Sequence, residues 1–109
     1  MLPLRLAALA GSMVLLGAST PTLSANDAQV TIDNFTFSPS KVTVPAGTRV
    51  VWINRDDIPH TVVENGDRRV LKSEPLDTGD SFSFVFSSPG TYSYFCSIHP
   101  RMQGTVVVE

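Results

Sequence analysis

A single cysteine, Cys96, serves all 109 residues, so no internal disulfide can brace the chain. Histidine is nearly as scarce, with His60 and His99 alone. Positive charge is not in excess: eight Lys and Arg stand against ten Asp and Glu, in no like-charged block. That balance argues against a nucleic-acid surface or an anionic-membrane surface. The longest apolar stretch, Leu6 to Ala18, has 13 residues, short of the roughly 20 that a membrane-spanning helix requires. No segment sustains a helical hydrophobic period, and there are no repeats or low-complexity tracts.

What is present begins with a leader pattern. Arg5 precedes the apolar stretch, and a small polar segment follows, ending Leu23-Ser24-Ala25. This is the plan of a secretory signal over residues 1–25, with cleavage expected after Ala25. The remainder, 26–109, is expected to form one small domain, with no membrane insertion after cleavage. Without Arg5 it keeps seven basic against ten acidic side chains. At this size one core gives limited stability. A lone thiol in an exported chain also calls for an explanation: intermolecular pairing, a reactive thiol, or a metal.

The rest reads as short strands divided by turn residues. Val30 and Ile32 alternate with polar partners, Phe35 and Phe37 resume that alternation, and Val42 and Val44 continue it. Ser38-Pro39-Ser40 and Pro45-Ala46-Gly47 are turns. Val50-Val51-Trp52-Ile53 is a continuous apolar run, suited to a strand buried on both faces. Asn54 to Pro59 is polar and turn-prone, and Thr61 to Glu64 is the next strand. Asn65-Gly66 is a turn. Asp67 to Asp80 lacks a period and is expected to be a loop, with one short strand near Val70-Leu71. Phe82, Phe84 and Phe86 form an apolar stripe whose simplest reading is core packing. Tyr92, Tyr94 and Cys96 share one face, and Gln103 to Val108 closes the chain. Seven to eight short strands without helices predict an all-β fold, an antiparallel sandwich or barrel.

The chemistry concentrates in Cys96-Ser97-Ile98-His99-Pro100-Arg101-Met102, a Cys-x2-His-x2-Met spacing. Taken singly, a cysteine is usually a small hydrophobe, a histidine structural, and a methionine core filler. Together with His60, after Pro59 at a loop end, these residues exhaust the Cys, His and Met of the secreted part. Thiolate and thioether suit Cu(I), and imidazole suits both copper states. Two His and one Cys with a long axial Met make an electron-transfer copper site. A zinc site on His60, Cys96 and His99 would have less use for Met102. A Cys-His hydrolase would need an oxyanion hole and an orienting residue, and no motif supplies them.

The segments Asp57-Ile58-Pro59-His60-Thr61-Val62 and Pro89 to Val108 resemble the cupredoxins, most closely the amicyanin type, beside plastocyanin and pseudoazurin. The short ligand loop is the amicyanin-like feature, and the likeness covers Ala28 to Glu109. The resemblance implies a Greek-key β-sandwich and one copper ion in a type 1 site, with His60, Cys96 and His99 equatorial and Met102 axial. It also implies a carrier rather than an enzyme. That carrier would move single electrons in the periplasm by Cu(I)/Cu(II) cycling. Its donor would be a dehydrogenase or oxidoreductase and its acceptor a cytochrome or oxidase, docking near His99, with the protein a monomer. Copper storage or delivery is the alternative that the same ligands would serve. Many relatives have Asn after the first ligand His, where it helps tie the two ligand loops together. Here that position is Thr61, and its hydroxyl is the group available for the role.

Overall fold

The computed structural model describes residues 26–109; the expected signal segment lies outside the described residues. Eight strands follow one another: β1 (Asp27–Asp33), β2 (Thr36–Ser38), β3 (Lys41–Val44), β4 (Thr48–Asn54), β5 (Val63–Glu64), β6 (Ser81–Phe86), β7 (Gly90–Phe95) and β8 (Gln103–Val108). They build two four-stranded sheets, ordered β2-β1-β4-β6 and β3-β8-β7-β5. No helix occurs among the described residues. The expected all-β sandwich is there, with the strand count at the upper end of the expected range. Each sheet also holds one parallel pair, β1 with β4 and β3 with β8. Alternation reports which face is buried and is blind to strand direction.

The two inner faces meet in one core. Val30, Ile32, Phe37, Val50, Trp52, Phe86, Tyr94 and Val106 are buried there, with Cys96 and Met102 in the same cluster. Val50 to Asn54 are buried throughout, as the continuous apolar run predicts. The Phe82, Phe84 and Phe86 stripe packs inward, beside Trp52 and Tyr92. Gly104, in β8, has a specific environment. It lies opposite Tyr94 in the β7–β8 pair. A Cβ there would stand 2.4 Å from the Tyr94 ring, so only glycine leaves room for that buried tyrosine.

Two expectations are corrected. No strand forms at Val70-Leu71: Val70 is exposed, and buried Leu71 only offers its carbonyl to the Glu64 amide of β5, at 2.8 Å, beside an isolated Val63–Lys72 bridge. That segment is held instead by the buried carboxylate of Glu64, which accepts from the Val70 and Leu71 amides and from Arg68. Phe35 does not continue a strand. Asp33 pairs directly with Thr36, leaving Asn34 and Phe35 as a two-residue hairpin loop.

The parallel β1–β4 register matters for the site. Ile32 pairs with Asn54, so the β1–β2 hairpin tip and the exit of β4 lie at one end of the sandwich. The β7–β8 connection carries the Cys96 loop towards that same end.

Candidate metal centre

Local hydrogen bonding fixes each arm of the site. Asn54, fully buried at the end of β4, organises the loop that delivers His60. Its amide donates to the carbonyls of Ile58 at 2.9 Å and Leu76 at 2.8 Å, and its side-chain oxygen accepts from the Asp56 amide. His60 then exchanges two backbone hydrogen bonds with Leu76, at 3.1 and 2.8 Å. The period-free segment after Asn65 therefore clamps the strand that presents His60.

The second arm is the β7–β8 connection. The His99 amide donates to the Cys96 carbonyl at 3.1 Å, and the Met102 amide to the His99 carbonyl at 2.9 Å. The Cys96 amide donates to the Met102 carbonyl at 3.0 Å and closes the loop. A three-residue spacing is the span of a tight-turn hydrogen bond. Cys-x2-His-x2-Met is thus two consecutive turns, and this explains why the spacing brings the residues together.

The sequence-predicted residues converge. Cys96 Sγ lies 3.7 Å from His60 Nδ1 and 3.8 Å from His99 Nδ1. The three donor atoms all lie within 4.8 Å of one another. Met102 is buried in the core cluster that contains Cys96. These separations fit a shared ion. Sulfur at about 2.3 Å and nitrogen at about 2.0 Å from one first-row ion, 120° apart, stand about 3.7 Å from each other. Cys96 and His60 are fully buried, whereas His99 is half-buried at the surface end of its loop.

Electrostatics preset these atoms for ligation. Burial pushes the Cys96 thiol up. The Thr61 amide, 3.4 Å from Sγ, together with both imidazoles and the Ile98 amide, outweighs it and brings the thiol down from 9.0 to about 6. A thiolate, the form that binds metal, is therefore favoured near neutral pH. Hydrogen bonding from the Phe35 amide, then from His60, lowers the Asp56 carboxylate to about 2. An ionised carboxylate only accepts, so His60 Nε2, 2.9 Å from Asp56 Oδ2, carries the proton. His60 Nδ1, 3.7 Å from Cys96 Sγ, is the nitrogen that would face a bound ion, the arrangement by which an outer carboxylate orients a ligating imidazole.

Thr61 ties the two loops together, as its position suggested. Its Oγ1 accepts from the Ser97 amide at 2.8 Å and lies 2.8 Å from the Ser97 hydroxyl. Two further contributors escaped sequence reading. Asp56 sits in a loop without periodicity, where one acid looks like another. Phe35, whose ring packs against both imidazoles, has the composition of a strand residue; its neighbour Asn34, a residue that favours positive φ, is the available signal.

Comparison with known proteins agrees with this geometry. Residues 6–108 match the family model described as a cupredoxin-like domain. Amicyanin-alpha of Methylorubrum extorquens is 35% identical over 88 residues, covering 78% of this chain and 74% of that one. Plastocyanin of Scenedesmus fuscus is 37% identical over 84 residues, covering 67% of this chain and 86% of its own. Among solved structures, a purple cupredoxin from Nitrosopumilus maritimus superposes with a TM-score of 0.72 at 36% identity, covering 75% of this chain and 99% of that one. The chain belongs to the cupredoxin family: it is an electron-transfer protein, and its cofactor is copper.

Proposed function

We propose that the protein is an exported, periplasmic carrier that shuttles single electrons between redox proteins. In this reading His60, Cys96, His99 and Met102 would hold one copper ion, as a type 1 site. The observation that carries the reading is the buried convergence of one thiolate and two imidazole Nδ1 atoms at 3.7 and 3.8 Å. Copper supplies the one-electron couple, cycling between Cu(I) and Cu(II).

The residues around the site do the rest. The turns of 96–102 and the His60–Leu76 bridges hold the donors on a fixed sheet end, which limits rearrangement between the two oxidation states. Four protein ligands leave no open coordination position, unlike a catalytic metal site, so the reading is of a carrier and not an enzyme. Burial of Cys96 and His60 keeps water from the thiolate. His99 is the ligand nearest the surface, and exposed Ile98 and Pro59 with half-buried Ile58 supply apolar surface from the two loops. Such a patch suits brief docking of a donor dehydrogenase or oxidoreductase and an acceptor cytochrome or oxidase. No helix of the described residues is long and apolar enough to cross a membrane. The Arg5 to Ala25 leader pattern supports export.

Voltammetry of the copper-loaded protein tests the function. A reversible one-electron wave with fast self-exchange is expected. Slow self-exchange combined with rapid transfer of copper to an acceptor chelator would replace the carrier with a delivery protein. Ile98→Asp is expected to slow reduction by the redox partner with copper retained; an unchanged rate would remove the docking patch.

A further inference from the structure

Asn34 and Phe35 have φ of +52° and +58° in a two-residue hairpin loop, the conformation of a type I′ turn. Asn is at home in the first position. The second favours glycine, and a bulky side chain there is a genuine outlier. Phe35 is 51% exposed, so about half of it stays in water. What it touches is the metal centre. Its centroid lies 5.7 Å from that of His60 and 5.0 Å from that of His99, at 89° and 88° to the two planes. The two imidazoles are themselves 5.2 Å apart. The Phe35 amide donates to Asp56 Oδ2 at 3.0 Å, the same oxygen that accepts from His60 Nε2. One carboxylate therefore fastens both the strained turn and a ligating ring. Backbone strain retained at a half-exposed residue points to a role at the site it faces.

We propose that Phe35 is a positioning residue of the copper centre, a wedge at a glycine-favouring turn position that fixes the orientation of both histidine rings. The inference rests on the metal reading of His60 and His99.

Phe35→Gly separates this role from a structural one, because glycine relieves the turn while removing the ring. Phe35→Asn does the same with a residue that also tolerates positive φ. Both variants are expected to match or exceed the parent in urea stability when metal-free. Both should release Cu(I) to excess chelator about tenfold faster, on the scale found when groups supporting ligands are removed. The thiolate-to-copper band is expected to shift, and Phe35→Tyr to restore release rate and band. In the metal-free chains, NMR relaxation of the His99 ring should show greater motion in Phe35→Gly than in the parent. Parent-like release, spectrum and His99 order in both Gly and Asn variants would overturn the proposal. So would a loss of metal-free stability in both that accounts for the faster release. A parent chain that takes up no copper would sink the metal reading instead, while the metal-free relaxation still decides on Phe35.

Discussion

Removing one oxygen atom from Thr61 is the sharpest probe of how the two ligand loops are coupled. Thr61→Val preserves shape, since a methyl replaces the hydroxyl, and leaves the Thr61 amide 3.4 Å from Cys96 Sγ. What disappears is the acceptor of the Ser97 amide and the partner of the Ser97 hydroxyl, both at 2.8 Å, together with the longer contact from the Thr61 hydroxyl to Cys96 Sγ at 3.7 Å. A stranded buried donor costs about 1–3 kcal/mol. Ser97 is exposed and the bonds are only part-buried, so water can partly replace the lost oxygen. The expected loss in metal-free stability is therefore near the low end, about 1 kcal/mol, read as a lower urea midpoint at constant slope. A larger effect is expected on the metal. The bond joins the residue after His60 to the residue after Cys96, so its loss frees two ligands relative to each other. Removing groups that support ligands typically costs 10–100-fold in metal affinity, and roughly tenfold is expected here. Competition for Cu(I) against a chelator of known affinity measures it. Thr61→Ser, which keeps the hydroxyl, should stay within about threefold of the parent on the same scale. Parent-like copper affinity in Thr61→Val, or an equal loss in Thr61→Ser, would refute the coupling.

Two further outcomes follow from the same structure. Gly104→Ala sets a Cβ 2.4 Å from Cζ and Oη of buried Tyr94, whose ring is also confined by Phe37 and Trp52; a destabilisation of about 1–3 kcal/mol is expected by denaturation, and it should shrink beside Tyr94→Leu, so strictly additive effects would contradict the contact. In the metal-free chain, thiolate absorbance should titrate with a midpoint near the lowered value of about 6, and a midpoint at the usual 9.0 would contradict the Cys96 environment. The sign is that of a depressed acid: the contribution of Cys96 to metal-free stability is fully present above about 9 and is lost as pH falls through about 6. Copper affinity should weaken over that lower range as well, because protons then compete for the thiolate.

The site was largely legible because its chemistry is scarce and its spacing is local. Cys96, His99 and Met102 are linked by two turns, and turns are short-range objects that a sequence displays. His60 could be named by elimination, but what holds it could not. Its clamp at Leu76 comes from a stretch with no period, and Asn54 and Asp56 act through backbone groups that pattern reading does not see. Alternation placed Val30, Ile32 and Phe37 on inner faces, since burial of one face per strand is what alternation encodes, and the unbroken apolar run marked Trp52 as buried. It misled at Phe35, because the burial phase shifts by one residue across a two-residue hairpin: Ile32 pairs with Phe37, and Phe35 shares the parity of Phe37 without sharing its strand. The short strand expected at Val70-Leu71 failed for a related reason. Two apolar residues met the composition of a strand, but the amides there bond to the Glu64 carboxylate instead of to a neighbouring strand.

Titration of the purified chain with Cu(II), beside Cys96→Ser, tests the central claim most directly. The account predicts one copper bound per chain, with an intense visible thiolate-to-copper band that vanishes in Cys96→Ser. Copper bound without that band, or a band that survives the loss of the Cys96 sulfur, would contradict it.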